Sequence, residues 1–135
     1  MGRQPTTVLC VDDQAVCRDA MREVIAATPG FVQVGEAFSG EAAIASATAL
    51  RPDLVLMDVN MPGLTGFEAA AILLRERRDV LIILTSVGPL DPPPGFAPRG
   101  EAIRLVAKHE LCPRTLLDLC GASSDYISST PAPSE

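Results

Sequence analysis

The chain has 135 residues, 47% of them apolar and 21% charged, with a formal net charge of −6 and a pI of about 4.7. That length suits one domain with a buried core and is too short for two ordinary ones. The acidic balance argues against a basic surface for nucleic acid or an anionic membrane, and no apolar run approaches the ~18 residues of a spanning helix.

In chain order, the first apolar run is TVLCV (7–11), which ends in Asp12 and Asp13. A helix is predicted over 14–27, with Val16, Ala20 and Val24 on one stripe and Cys17, Met21 and Ile25 on the next. Pro29-Gly30 ends it, and VQVGEA (32–37) reads as a second strand. Ser39 is an N-cap candidate for a helix over 40–50, whose Ala43, Ala47 and Leu50 share a face. LVLMD (54–58) is an unbroken apolar run closed by Asp58. A helix over 66–77 follows, with Phe67, Ala70, Ala71 and Leu74 at helical spacing. VLIILT (80–85) is a fourth strand, and IRLVAK (103–108) has the alternation of an edge strand with Arg104 on a wetter face. A short last helix is predicted from Pro113 to a stop at Gly121.

Strands of four to six aliphatic residues, alternating with helices, give βαβ units and a doubly wound parallel sheet. Residues 122–135 are rich in Ser and Pro and read as a flexible tail or linker stub after a domain over 1–121. The four cysteines, Cys10, Cys17, Cys112 and Cys120, follow no C-x-x-C pattern and are taken as reduced thiols of a cytoplasmic protein. Ten arginines stand against one lysine, Lys108, so the place where the chain uses Lys is itself a question.

In an open parallel sheet, ligands bind beyond the carboxyl ends of the strands. The residues at those ends here are Asp12 and Asp13, then Asp58, then Thr85 and Ser86, then Lys108. Clustered carboxylates repel one another unless a cation relieves them. A hard divalent ion such as Mg²⁺ suits oxygen ligands, and Mg²⁺ with Lys and Thr makes a site for a phosphoryl group. Asp58, alone at the mouth of the central strand, is the candidate nucleophile.

As a set, VDD, LMDVNMPGLTG, ILTS and VAK resemble the receiver (CheY-like) domain of bacterial two-component response regulators, with the NarL/LuxR type among its candidate subgroups. The spacing agrees, since Asp13 precedes Asp58 by 45 residues and Lys108 follows it by 50. The resemblance implies a flavodoxin-like α/β fold with strand order 2-1-3-4-5. It implies that Asp58 takes a phosphoryl group from a sensor histidine kinase, a phosphotransfer protein or a small donor such as acetyl phosphate. Asp13, Asp58 and the backbone carbonyl of Asn60 would hold Mg²⁺, with Asp12 acting largely through water. Thr85 and Lys108 would contact the phosphoryl oxygens, and Met61, Pro62 and Gly63 would shape the loop that presents Asn60. The implied module switches an output and is not an enzyme on other substrates. Nucleic-acid and membrane contacts are not expected of it, and any homodimer is expected to be weak.

Three features depart from that pattern. Leu105 stands where receivers usually have an aromatic residue, and His109 follows the lysine where they usually have Pro. Pro89, Pro92, Pro93, Pro94 and Pro98 crowd the segment where the family has its fourth helix, so that helix is expected to be lost or irregular across 86–100. A non-phosphorylated interaction module of the same fold is the alternative function. A phosphatase of the haloacid dehalogenase type is disfavoured, because it needs a second acid where Asn60 stands. No G-x-G-x-x-G follows the first strand, which disfavours a dinucleotide enzyme.

Overall fold

The computed structural model describes residues 4–77, 79–88 and 103–120. In chain order they form β1 (Thr6–Val11), α1 (Ala15–Ala26), β2 (Phe31–Ala37), α2 (Gly40–Leu50), β3 (Leu54–Asp58), α3 (Gly66–Glu76), β4 (Leu81–Ser86), β5 (Ile103–Ala107), a 3-10 turn (Lys108–Glu110) and α4 (Pro113–Cys120). The five strands make one parallel sheet in the order β2-β1-β3-β4-β5, the doubly wound flavodoxin-like arrangement expected. The Pro-rich segment and the tail over 122–135 fall outside the described residues.

β1, β3 and β4 are the central strands, and each is buried along nearly its whole length. Successive side chains of a strand point to opposite faces, so one aliphatic run feeds two cores. Leu9, Val11, Val55, Met57, Ile82 and Leu84 pack with Ala43 and Ala47 of α2 and Phe67, Ala70 and Leu73 of α3. Val8, Cys10, Leu54, Leu56 and Ile83 pack with Met21 and Ile25 of α1 and Leu116 and Leu119 of α4. Continuing the alternation of this second set by one step brings in Asp12, Asp58 and Thr85. The polar site is thus the upper end of the α1/α4 face of the sheet.

Two helix faces and one strand differ from the expectations drawn from spacing, and on α1 the structure chooses between the two predicted stripes. On α1 the inward residues are Met21 and Ile25, whereas Val16 is 72% exposed and Ala20 is also exposed. Either stripe satisfies helical spacing, and only the position of the sheet chooses between them. On α2, Ala43 and Ala47 are buried, but Leu50 at the last turn is largely exposed. On α3, Ala69 and Leu73 are buried in place of Ala71, with Phe67 and Ala70 inside as expected. On β5, Arg104 is only 7% exposed, which corrects the wetter-face reading. It shares the α4 side of the sheet with Val106, and its Nη1 donates to the Ile103 carbonyl at 3.5 Å.

Two helix entries are fixed by local chemistry. Ser39 caps α2, its Oγ accepting from Ala42 N–H at 3.0 Å. Thr65 and Glu68 form a reciprocal capping box at the start of α3, with bonds of 3.2 and 2.9 Å. Gly66 then lies against the backbone of the residue the site depends on. A Cβ there would stand 2.4 Å from the Asp58 carbonyl oxygen and 2.7 Å from Val59 Cα.

Gly66→Ala therefore has to push the start of α3 away from β3, and urea unfolding should show a loss of about 1–3 kcal/mol. Gly30, at φ +85° with nothing within 4 Å of its would-be Cβ, provides the comparison. Gly30→Ala should cost only the left-handed backbone penalty of about 1–2 kcal/mol and leave the site unaffected.

Candidate functional site

Four elements deliver the polar residues to one edge. β1 runs out into Asp12 and Asp13, β3 ends in Asp58, β4 carries Thr85 opposite Asp58 in register, and β5 leads directly into Lys108. Val59 N–H donates to the Thr85 carbonyl at 2.9 Å and carries the β3–β4 pairing one residue past Asp58. Gly66 N–H donates to the Val59 carbonyl at 3.0 Å, closing the loop that holds Asn60, Met61 and Pro62. Gly63 turns that loop with φ +79°, a conformation that favours glycine. Met61 is buried beneath it.

The structure brings Asp12, Asp13, Asp58, Thr85 and Lys108 together. One carboxylate oxygen from each of Asp12, Asp13 and Asp58 lies within 4.8 Å of the other two. Asp12 is fully buried, and both its oxygens have partners. Gln14 N–H donates to Oδ1 at 3.0 Å, and Lys108 Nζ donates to Oδ2 at 2.7 Å. Lys108 Nζ also lies 3.4 Å from Asp58 Oδ1, within range of charge attraction but without the geometry of a hydrogen bond. Among the described residues, Asp58 Oδ1 and Thr85 Oγ1 are both buried without a hydrogen-bond partner. Two buried oxygens left this way are unusual in a folded protein.

The electrostatics follow from that geometry. Burial pushes the Asp58 carboxyl up to about 6, with Lys108 opposing and the charges of Asp12 and Asp13 adding to the rise. Burial alone would lower the Lys108 ammonium, but its hydrogen bond to Asp12 and the charge of Asp58 win and hold it above the ordinary lysine value. The lone lysine is the standing counter-charge of an acidic pocket.

Asn60 is exposed, and its side-chain Nδ2 donates to Ser86 Oγ at 3.3 Å. His109 lies in the 3-10 turn with its side chain 77% exposed, 4.0 Å from the Glu110 carboxylate. Spacing did not single out two further residues. Arg18 Nη1 donates to the Asp12 carbonyl at 2.8 Å and ties α1 to the end of β1. Cys17 Sγ accepts from Lys108 Nζ at 3.3 Å. The available signal was position alone, because the first turn of a helix starting just after an acidic pair must overhang it.

The donor set is oxygen-rich, hard and negative, which fits a divalent cation held by Asp13 and Asp58 with Asp12 beside them. The two unpartnered oxygens leave acceptor and donor capacity on residues that lie opposite each other on β3 and β4. A doubly wound sheet with such a pocket beyond its carboxyl edge, and a lysine across it, defines a receiver-type signalling domain.

Comparison with known proteins gives the same class. Residues 8–92 match the response regulator receiver domain. The chain is 38% identical over 115 residues to the response regulator GacA of Pseudomonas viridiflava, covering 73% of this chain and 54% of that protein. It is 38% identical over 86 residues to the nitrate/nitrite response regulator protein NarL of Escherichia coli K12, covering 64% of this chain and 40% of that protein. Among solved structures, the signal receiver domain of the NarL regulator of Mycobacterium tuberculosis superposes with a TM-score of 0.67 at 24% identity. That match covers 86% of this chain and 96% of the other, and supports the fold. The chain belongs to the response regulator receiver family, and it spans about half or less of the length of these two curated relatives. No helix among the described residues is long and apolar enough to cross a membrane.

Because the folded pKa of Asp58 is raised from 3.8 to about 6, the metal-free folded state holds the extra proton between those values. Stability should then fall as pH rises from about 4 to about 6, by about 2–3 kcal/mol from this group. Asp58→Asn, measured in chelator, should raise the melting temperature at pH 7, and its advantage should shrink towards pH 4. A constant difference across that range would contradict the assignment.

Proposed function

We propose that this receiver accepts a phosphoryl group on Asp58, in a Mg²⁺-dependent reaction with a histidine kinase or phosphotransfer protein, and thereby switches a signalling output. The observation that carries the reading is the pair of buried, unpartnered oxygens, Asp58 Oδ1 and Thr85 Oγ1, beside a lysine and two further carboxylates. An Asp58 oxygen attacks the phosphorus of the donor, the P–N bond of phosphohistidine breaks, and its electron pair leaves with the imidazole. The product is an acyl phosphate.

Asp13, Asp58 and the Asn60 carbonyl would hold Mg²⁺, with Asp12 acting through water, and the bound ion would supply charge neutralisation to the carboxylates and the incoming phosphoryl oxygens. Asp58 is presented for attack by the β3 terminus and cannot withdraw, because Gly66 seals the loop against its backbone. Lys108 places an ammonium at the phosphoryl oxygens. A compact charge on a flexible stem suits that point contact better than a guanidinium fork. Thr85 Oγ1, with nothing else to bond among the described residues, donates to the new oxygens and registers their arrival.

The donor surface follows from where the site opens. Val16 at the start of α1, Phe38 after β2 and Val87 after β4 follow the same strand ends and are 72%, 66% and 76% exposed. Phe38 is held by the Arg18 guanidinium, 5.7 Å over its ring. A protein that brings a phosphohistidine to Asp58 must cover these apolar residues, whereas acetyl phosphate need not. The alternative, an interaction module that is never phosphorylated, draws support from Leu105, which packs against the α2/α3 core in place of an aromatic switch.

With Mg²⁺ and acetyl phosphate, the protein should gain one hydroxylamine-labile phosphoryl group, and Asp58→Asn should abolish the gain without unfolding the domain. Labelling that persists in the variant would place the acceptor elsewhere, and no labelling of the wild type would favour the interaction module. Mg²⁺ should also raise the melting temperature through linkage, and Asp13→Ala should remove most of that increment. An equal increment in both proteins would refute the metal assignment.

A further inference from the structure

We propose that Cys17 is a positioning residue for Lys108, a soft anchor that keeps the ammonium in the pocket when the carboxylates around it turn to a hard cation. The proposal rests on the reading of Asp58 as phosphoacceptor.

A lysine ammonium has three N–H donors, and among the described residues Lys108 Nζ has three polar neighbours. They are Asp12 Oδ2 at 2.7 Å, Cys17 Sγ at 3.3 Å and Asp58 Oδ1 at 3.4 Å. Two of the three are carboxylates of the acidic cluster that a divalent ion would claim. Mg²⁺ takes oxygen ligands and leaves thiols aside. The sulfur is therefore the one neighbour of Lys108 that metal binding does not compete for.

Cys17 is also placed for this and for little else. It belongs to neither apolar core, although Cys10 and Cys120 both pack into the α1/α4 core. Its N–H donates to the Gln14 carbonyl at 3.1 Å in the first turn of α1. The Arg18 bond to the Asp12 carbonyl fixes that turn to the end of β1. The thiol is thus tied to the acidic pair and stands at Lys108 Nζ, which itself lies 3.4 Å from the unpartnered Asp58 Oδ1. When the carboxylates let go, an unanchored lysine stem can swing to solvent, since Lys108 is already partly exposed. Holding Nζ at Sγ keeps it within reach of a phosphoryl oxygen on Asp58.

The test is calorimetric titration of the chain with beryllofluoride, a phosphoryl mimic, in saturating Mg²⁺, for wild type, Cys17→Ala and Cys17→Ser. Cys17→Ala should bind beryllofluoride about fivefold to tenfold more weakly, the scale of one hydrogen bond to a charged group, with Mg²⁺ affinity unchanged within about twofold. Cys17→Ser, which restores an acceptor, should recover most of the loss. In a Cys112→Ser background, beryllofluoride with Mg²⁺ should slow alkylation of Cys17 by iodoacetamide, read by mass spectrometry. Equal beryllofluoride affinity in wild type and Cys17→Ala, or a parallel fall in Mg²⁺ affinity, would overturn the positioning role. So would Cys17 alkylation indifferent to beryllofluoride. Failure of the wild type itself to bind beryllofluoride would instead overturn the phosphoacceptor reading on which the role depends.

Discussion

The contact between Lys108 and Asp12, 2.7 Å long and made to a fully buried carboxylate, is the interaction on which the site depends. It joins residues 96 positions apart and draws the end of β5 to the end of β1, across the two strands that lie between them. A buried carboxylate without a counter-charge is costly, and here two of them share one ammonium with a third carboxylate close by. The pocket is therefore folded but not electrostatically content. Burial and the acidic neighbours raise Asp58 while Lys108 holds it down. Such a balance is sensitive to any added charge, which is what the proposed switching by a metal ion and a phosphoryl group requires.

The scaffold contributes by being rigid on one side of that balance. β3 is buried along its whole length, Gly66 lies against the Asp58 backbone, and the β3–β4 pairing continues through Val59 to Thr85. Asp58 and Thr85 are thus fixed in register by the backbone. Lys108, on a long flexible stem at the head of a 3-10 turn, is the adaptable group, whereas the first turn of α1 is tied to the end of β1 by Arg18. The exposed Val16, Phe38 and Val87 follow strand ends and a helix start, with Phe38 against the Arg18 guanidinium.

The departures from the family pattern have different weights once seen in place. The His109 side chain is largely exposed and makes no polar contact with the pocket among the described residues. Leu105 packs against the α2/α3 core from the strand next to Thr85, which is the place an aromatic switch would occupy. The Pro-rich run that departs most from the pattern lies outside the described residues.

The sequence by itself determined the sheet, its doubly wound class and the five residues of the pocket. Uninterrupted aliphatic runs must be buried on both faces, and a charge or hydroxyl at the end of each such run has only one edge to occupy. It also determined the cap of α2, because Ser39 before a helical period has one favourable use. Which stripe of α1 turns inward, and that α3 buries Ala69 and Leu73 rather than Ala71, was decided only by the tertiary structure. The stripe through Val16 and the stripe through Met21 satisfy the same spacing, and the difference lies in where the sheet stands. The burial of Arg104 was likewise invisible, since alternation places a residue on a face but cannot say that α4 covers it. The Cys17–Lys108 contact belongs to the same class. It joins a helix and a strand end 91 residues apart, and only the closing of the sheet brings a sulfur to an ammonium there.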